Sequence, residues 1–417
     1  MKMVGIGCMA LVAGAAFVAA AQDEPQTQET AQVLDRVVTE LKTHGVELDA
    51  GKARTAAIEA IIRTADSQGA IMTDTDIEQW SNQQEGLTYS TGMRLTMTNG
   101  QPLVTGFSEG SPAETAGLEA GDLITAIDDT TLAGTDIVST QSMLSDSEER
   151  SVQVTVHKTD GTTNTVEVTL AMLQLPGIET AELLPSGLCY IRINGFYAGV
   201  GDAVLEQLDA WRSGDHFGLI LDLRSANGGD VDSAARISSL FAEANMMLFA
   251  FRDTSDQDLA VSKAADTEPL GMPTMVLIDG QTCGAAEVLA ASMKRSIRGA
   301  MLLGTESKGD PSIREFINFG PAEKIYVATR RLVTADGTVY SGQAGIVPDV
   351  TVASKASRPV EYEPMPELGE REQLEEEIED TLLAQRVKGD AVLRRAVDIL
   401  LGLKALNIRG FRNANDS

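Results

Sequence analysis

Histidine is nearly absent from this 417-residue sequence: His44, His157 and His216 stand far apart and share no ligand spacing. That excludes a zinc centre and a histidine-based catalytic triad, and no metal or cofactor is expected. Positive charge is scarce as well, with 33 lysines and arginines against 61 aspartates and glutamates and a net charge of −28. Nucleic acid and anionic membrane both require a basic face, so neither is expected as a partner, and solubility accounts for the acidity. Cysteine occurs three times. Cys8 comes too early for a lipoprotein site; Cys189 and Cys283 fall in core-like contexts, and sequence alone does not decide whether they pair. The apolar run from Met3 to Val18 is short and rich in small residues for a spanning helix. With Lys2 before it and Ala19-Ala20-Ala21 after it, residues 1–21 read as a secretory signal peptide. The mature chain is then periplasmic or secreted, with no membrane contact beyond that leader.

The hydrophobic fraction, 43%, suffices for two or three domains with cores of their own. Residues 22–84 read as a helical region. After a polar linker (22–29), a helix over about 30–43 carries Val33, Val37, Val38 and Leu41 on one face and stops at Gly45. A second helix, capped by Asp49, runs to about Ala65 and buries Ala56, Ile58, Ile61 and Ile62. Both are expected to pack within the chain. Residues 85–175 hold short alternating strands, among them 152–156 and 165–170 around an Asp160-Gly161 turn. From Gly187 the pattern becomes strand (188–193), helix (203–211), strand (217–223), tight loop (224–229) and helix (232–241). Strand 217–223 is apolar on both faces, as a covered central strand requires. This α/β domain is placed at 176–356, with 325–352 extending its sheet around an Asp336-Gly337 turn. A charged linker from Pro359 leads into C-terminal helices (357–417), where Leu393, Ala396, Ile399 and Leu400 form an apolar face beside Asp390. The acidic run 370–380 reads as a solvated helix face, and the tail after Ile408 lacks periodicity.

The stretch Pro273 to Ile317 carries the chemistry. It reads as a strand (275–279), a tight turn (280–284), a helix (285–294), a second strand (300–303) and a polar loop entering a third strand near Ile313. Strand, sharp turn and helix N-terminus in succession gather unpaired N–H groups and the positive end of a helix dipole at one corner. A nucleophile and an oxyanion both suit that corner; an ordinary βα connection has the same outline.

Met275-Val-Leu-Ile-Asp279, Thr282-Cys-Gly-Ala-Ala-Glu287 and Gly304-Thr-Glu-Ser-Lys-Gly309, with Leu221-Asp-Leu-Arg224 before Asn227-Gly-Gly229 and with Gly345-Ile-Val-Pro-Asp349, resemble the core of the tail-specific, or C-terminal-processing, serine peptidases of family S41. Gly110-Ser-Pro-Ala113, Ala116-Gly-Leu118, Gly121-Asp-Leu-Ile124 and Ile127-Asp128 resemble a PDZ domain. The resemblance implies an α/β fold: a ClpP/crotonase-like core with a mixed sheet, an inserted PDZ domain, and N- and C-terminal helices. It also implies site residues. The nucleophile, three residues before the glutamate that matches Glu287, falls on Gly284; the base lysine falls on Asp310, and the glutamine that orients it on Arg314. Backbone N–H groups of Gly228 and Gly229 would face the turn as part of an oxyanion hole, although Ala226 stands where proline is usual. If that hole persists without a nucleophile, it becomes a carbonyl or carboxylate site. In the PDZ-like segment, the loop containing Gly92 would hold a partner's terminal carboxylate. Met93 and Leu95 would line the pocket for the last side chain, and Arg94 would point the other way.

Glycine has no hydroxyl to attack with, and losing a serine nucleophile lowers turnover roughly 10⁶-fold. Asp310 could accept a proton, but Gly284 has none to give. Asp310 and Arg314 carry opposite charges and are expected to pair. One rescue exists: Cys283 at the helix start and Lys308, two residues before the base position, make a Cys-Lys dyad if the turn slips by one residue. Against it, Cys283 also suits a small buried residue packing under the turn. Ser292, Ser296, Ser307 and Ser312 are nearby, but none stands at a turn before a helix. The reading is therefore an extracytoplasmic homologue of tail-specific peptidases that binds polypeptide C-termini or unstructured segments as an adaptor without cutting them. The alternatives are an active endopeptidase, serine-type or built on Cys283 and Lys308, and a structural subunit that associates with itself or with an active paralogue.

Overall fold

In the computed structural model, residues 24–98, 101–132, 135, 137–146, 148–184, 187–211, 214, 216–253, 255–297, 299–309, 311–340, 344–352, 387 and 390–408 are described. The expected signal peptide, Asp310, the charged linker, the acidic run and the tail lie outside them. The chain divides into two units at Ile61. No helix among the described residues is long and apolar enough to cross a membrane.

Helix α1 (Glu24–Thr43) belongs to the first unit, and α2 (Ala50–Ala65) runs across the division. Asp49 caps α2 as expected, its Oδ1 accepting the N–H groups of Gly51 and Lys52 at 3.0 and 3.1 Å. The expected burial does not follow. Val33 and Val37 are 52% and 51% exposed and Ile61 53%, Ala56 is exposed, and Ile58 is only half-buried; Ile62 alone of the second helix's set is buried.

The second unit opens with β1 (Ala70–Thr73) and α3 (Asp74–Gln84). Thr73 and Asp76 form a capping box at the head of α3, an N-terminus signal readable in the sequence. A five-strand antiparallel sheet then follows: β3 (Met93–Thr98), β4 (Gln101–Phe107), β5 (Leu123–Ile127), β8 (Ser151–His157) and β9 (Thr163–Thr169), in that order across the sheet, with β6 (Thr130–Thr131) beside β5. Helices α4 (Pro112–Thr115) and α5 (Ile137–Met143) accompany it, and α5 packs beside β3. A small sheet in the order β10 (Ala171–Gln174), β2 (Leu87–Ser90), β7 (Ser145–Asp146) closes the module where the chain enters and leaves it.

The central sheet runs β11 (Ile178–Leu184), β12 (Leu188–Ile193), β13 (Leu219–Asp222), β16 (Thr274–Ile278), β17 (Ala300–Gly304), β21 (Val350–Thr351). β11 is antiparallel to β12 and every other pairing is parallel. Its continuous apolar strands have two covers. Cys189, Ile191, Leu219, Leu221, Val276 and Ile278 face α6 (Val200–Trp211), α7 (Val231–Ser239) and α8 (Ala285–Ser296); Leu188, Tyr190, Ile220, Met275 and Leu277 face α9 (Ala391–Ala405) through Val392, Leu393, Ala396 and Leu400. Asp390 begins α9, accepting the N–H groups of Val392 and Leu393 at 3.0 Å each. The same carboxylate receives Arg224 Nη2 at 2.7 Å, and Arg224 also forks onto the fully buried Asp222, so the C-terminal helix is tied to the end of β13. A second sheet joins β1, β19 (Glu323–Thr334), β14 (Met247–Arg252) and β15 (Asp258–Lys263), with β18 (Ile313–Asn318) and β20 (Val339–Tyr340) also on β19.

Candidate functional site

The turn between β16 and α8 is built by side chains that hold its backbone. Asp279 Oδ1 accepts the N–H groups of Ser225, Gln281 and Thr282 at 2.9, 3.0 and 3.0 Å. The buried Thr282 hydroxyl donates to Leu223 O at 2.9 Å and accepts Asp279 N–H at 3.0 Å. The corner is thereby fixed to the loop that follows β13. Gly284, at the head of α8, has φ 63° and ψ −129° and gives the helix no side-chain cap. Only glycine adopts that conformation readily.

The two-glycine loop supplies the missing cap. Cys283 N–H donates to Ala226 O and Ala285 N–H to Gly228 O, both at 3.0 Å. A Cβ on Gly284 would lie 2.6 Å from Gly228 O, so that carbonyl fills the space of a side chain at this position. Gly228 is itself held by close approach: its φ is 98°, and a Cβ there would lie 2.6 Å from Phe196 O. Gly228 thus meets the turn with its carbonyl, and the Ala285 N–H at the head of α8 is taken up by that carbonyl inside the chain.

Glu287 is completely buried, and its Oε1 accepts the Ser307 hydroxyl and, at 2.7 Å, Gly309 N–H. Ser307 Oγ accepts Ile346 N–H at 2.6 Å, its own N–H reaches Ile346 O at 3.2 Å, and Lys308 N–H donates to Thr282 O at 3.0 Å. The Gly304–Gly309 run, the turn and the Gly345–Asp349 run thus lean on one another through Glu287 and Ser307. Ser307 is a bracing hydroxyl, and Ser292 is buried within α8, so neither stands at the turn. The Lys308 side chain is exposed, whereas a base lysine needs desolvation to lower its pKa. Cys189 and Cys283 are not bridged to each other. Burial pushes the Cys189 thiol up to about 11, leaving it inert at neutral pH.

Arg314, on β18, forks onto Asp66: Nε to Oδ2 at 2.8 Å and Nη2 to Oδ1 at 2.9 Å, with both side chains almost fully buried. Asp66 also accepts Gln68 N–H at 3.0 Å and Ala328 N–H at 2.9 Å. Burial alone would raise this carboxyl; the Arg314 bonds and the two N–H groups outweigh it and hold the group below its ordinary value. Asp66 lies 248 residues from its partner and gave no sequence signal. Gln84, at the end of α3, was equally silent, yet its Oε1 lies 2.4 Å from where a Cβ on Gly229 would stand, at the other side of the loop. Among the described residues no group of three or more His, Cys, Asp or Glu is placed to hold a metal ion.

A second site lies along β3, the terminal strand of its sheet. Gly92 O accepts Ser108 N–H at 2.8 Å and Arg94 O accepts the Thr105 hydroxyl at 3.1 Å, both on the β4 side. By alternation, the backbone groups of Met93 and Leu95 face the free edge, while their side chains pack on the module's core. Gly92 has φ 74°, and a Cβ there would lie 2.9 Å from Ser111 and Leu173. Thr91 N–H donates to Leu144 O and Gly92 N–H to Ser90 Oγ, each at 3.1 Å, so the first N–H turned to the edge is that of Met93.

Residues 187–352 match the model of peptidase family S41, and residues 103–158 that of the PDZ domain. The chain is 25% identical to the carboxy-terminal processing protease CtpA of Bacillus subtilis (strain 168) over 301 residues, 70% of this chain and 62% of that protein. It is 25% identical to the chloroplastic C-terminal processing peptidase of Tetradesmus obliquus over 255 residues, 58% of this chain and 54% of the relative. The match thus spans less than two thirds of either relative. A solved structure, the photosystem II D1 C-terminal processing protease, aligns over 75% of this chain and 85% of that one at a TM-score of 0.46 and 20% identity.

Proposed function

We propose that this chain, which matches peptidase family S41 over residues 187–352 and the PDZ domain over residues 103–158, is an extracytoplasmic pseudopeptidase: it captures polypeptide C-termini along β3 and does not cut them. The observation that carries this reading is Gly228 O, seated where a nucleophile at Gly284 would need its Cβ. Hydrolysis by the family's chemistry needs a hydroxyl, a desolvated base within reach and N–H groups for the oxyanion. Position 284 has no side chain, Lys308 is exposed, and Ala285 N–H is bonded to Gly228 O.

Capture rests on strand addition. The outward backbone of Met93 and Leu95 can pair with an extended segment, and the half-buried side chains of the same two residues can receive its last side chain. The leader-like residues 1–21 support export to a periplasmic or external space.

Two assays test the proposal. Casein or an unfolded peptide incubated with the purified chain stays intact; cleavage that Cys283→Ala abolishes would establish an active Cys283 site instead. A peptide ending in a free apolar residue binds more tightly than its amidated form; equal affinity would remove the carboxylate from the account.

A further inference from the structure

We infer that Arg94 selects a C-terminus whose penultimate residue is acidic. This rests on the strand-addition reading of β3 and extends it to the ligand's sequence. Between Leu87 and Leu175 the lysines and arginines are Arg94, Arg150 and Lys158. Arg150 is paired with Asp146 at 2.6 Å and lies 3.7 Å from Asp128; Lys158 sits 3.5 and 3.6 Å from Glu119 and Asp122. Arg94 is exposed, and among the described residues no carboxylate pairs with it. Among the described residues, it is the cation of this carboxylate-rich module without a carboxylate partner.

Its placement decides what it can meet. Arg94 lies directly opposite Gly106 in the pairing of β3 with β4. The guanidinium lies over that glycine, where an added Cβ would come within 3.1 Å of Nη2. The absence of a side chain at position 106 thus leaves room for the arginine to rest across the sheet. On the other side of β3 is the free edge. A strand added there places one residue directly opposite Arg94 on the same face, with Cβ atoms about 5 Å apart. If the terminal side chain turns toward Met93 and Leu95, side-chain alternation turns the penultimate one toward Arg94. The exposed guanidinium rests over β4 and has to swing across β3 to reach that residue; a glutamate or aspartate there attracts it, and a lysine repels it. Because the site is open to solvent, the preference is modest and screened by salt.

The test uses the full chain and three peptides that share a free apolar C-terminal residue and differ at the penultimate position: Glu, Gln or Lys. Fluorescence anisotropy at low salt is expected to rank them Glu, Gln, Lys, with about threefold between neighbours, and 0.5 M NaCl should compress the series. In Arg94→Gln the three affinities converge while the preference for a free over an amidated terminus remains. Equal affinities in the wild type, or an unchanged ranking in Arg94→Gln, would overturn the role of Arg94. Equal binding of free and amidated peptides, or no binding by any of the three, would overturn the strand-addition reading and this inference with it.

Discussion

Placing a serine at position 284 supplies the hydroxyl that the proposed pseudopeptidase is without, and the structure says how the fold responds. The backbone there has φ 63° and ψ −129°, which strains a residue with a side chain by about 1–3 kcal/mol. The new Cβ would stand 2.6 Å from Gly228 O. The loop cannot swing away freely, because Phe196 N–H donates to Asn227 O at 2.6 Å and Asp230 N–H to Phe196 O at 3.1 Å. Moving Gly228 also stretches its bond from Ala285 N–H, a net loss of about 1 kcal/mol. Together these give about 2–4 kcal/mol, or on the order of 10 °C in the thermal midpoint of a domain of this size. Gly284→Ala carries the same strain without a hydroxyl, so circular dichroism melts of the two variants should coincide below the wild type. Neither should react with a fluorophosphonate probe. A serine variant as stable as the wild type and labelled by the probe would refute the claim that the carbonyl closes this corner.

Asp66→Asn leaves Arg314 buried without its counter-charge and should destabilise by about 3–5 kcal/mol near pH 7. Since the folded carboxyl titrates below its unfolded value of 3.8, its contribution is present above that pH and is lost as pH falls through the lower folded value; denaturation curves of wild type and variant should therefore approach one another below about pH 4. If the gap stayed constant with pH, the ion pair would not be its source. Asp390→Ala removes both the α9 cap and the Arg224 partner, so hydrogen exchange in the first turn of α9 should rise by tenfold or more, as about 1–2 kcal/mol of local stability disappears. Unchanged protection there would count against the clamp. Cys189, with its thiol pushed up to about 11, should resist iodoacetamide at pH 8 until urea unfolds the domain; rapid native alkylation would contradict its burial.

Much of the frame could be read from residue patterns, and the reasons are physical. Strand 188–193 coincides with β12, and the strand, turn and helix around 275–294 reappear as β16, the fixed corner and α8, because buried parallel strands leave continuous apolar runs. The α9 face of Leu393, Ala396 and Leu400 was visible by its helical period. Asp390 read as one more residue on that face; its cap and its tie to Arg224 needed coordinates. What escaped depends on distant chain segments. Nothing near Asp66 announces Arg314, and nothing in the Asn227-Gly-Gly229 motif tells whether it presents N–H or carbonyl to Gly284; that depends on how Phe196 packs behind it. The stripes on α1 and α2 misled in the other direction, since periodicity records an apolar face and not whether anything covers it.

The claim that this chain holds C-termini without cutting them is tested most directly by recovering a bound peptide. A peptide with an acidic penultimate residue and a free apolar C-terminus is incubated with the wild-type chain until well past binding equilibrium, then released and weighed by mass spectrometry. The account predicts that all of it returns at its starting mass. Shortened peptide whose appearance stops on replacing Cys283 by alanine would contradict it.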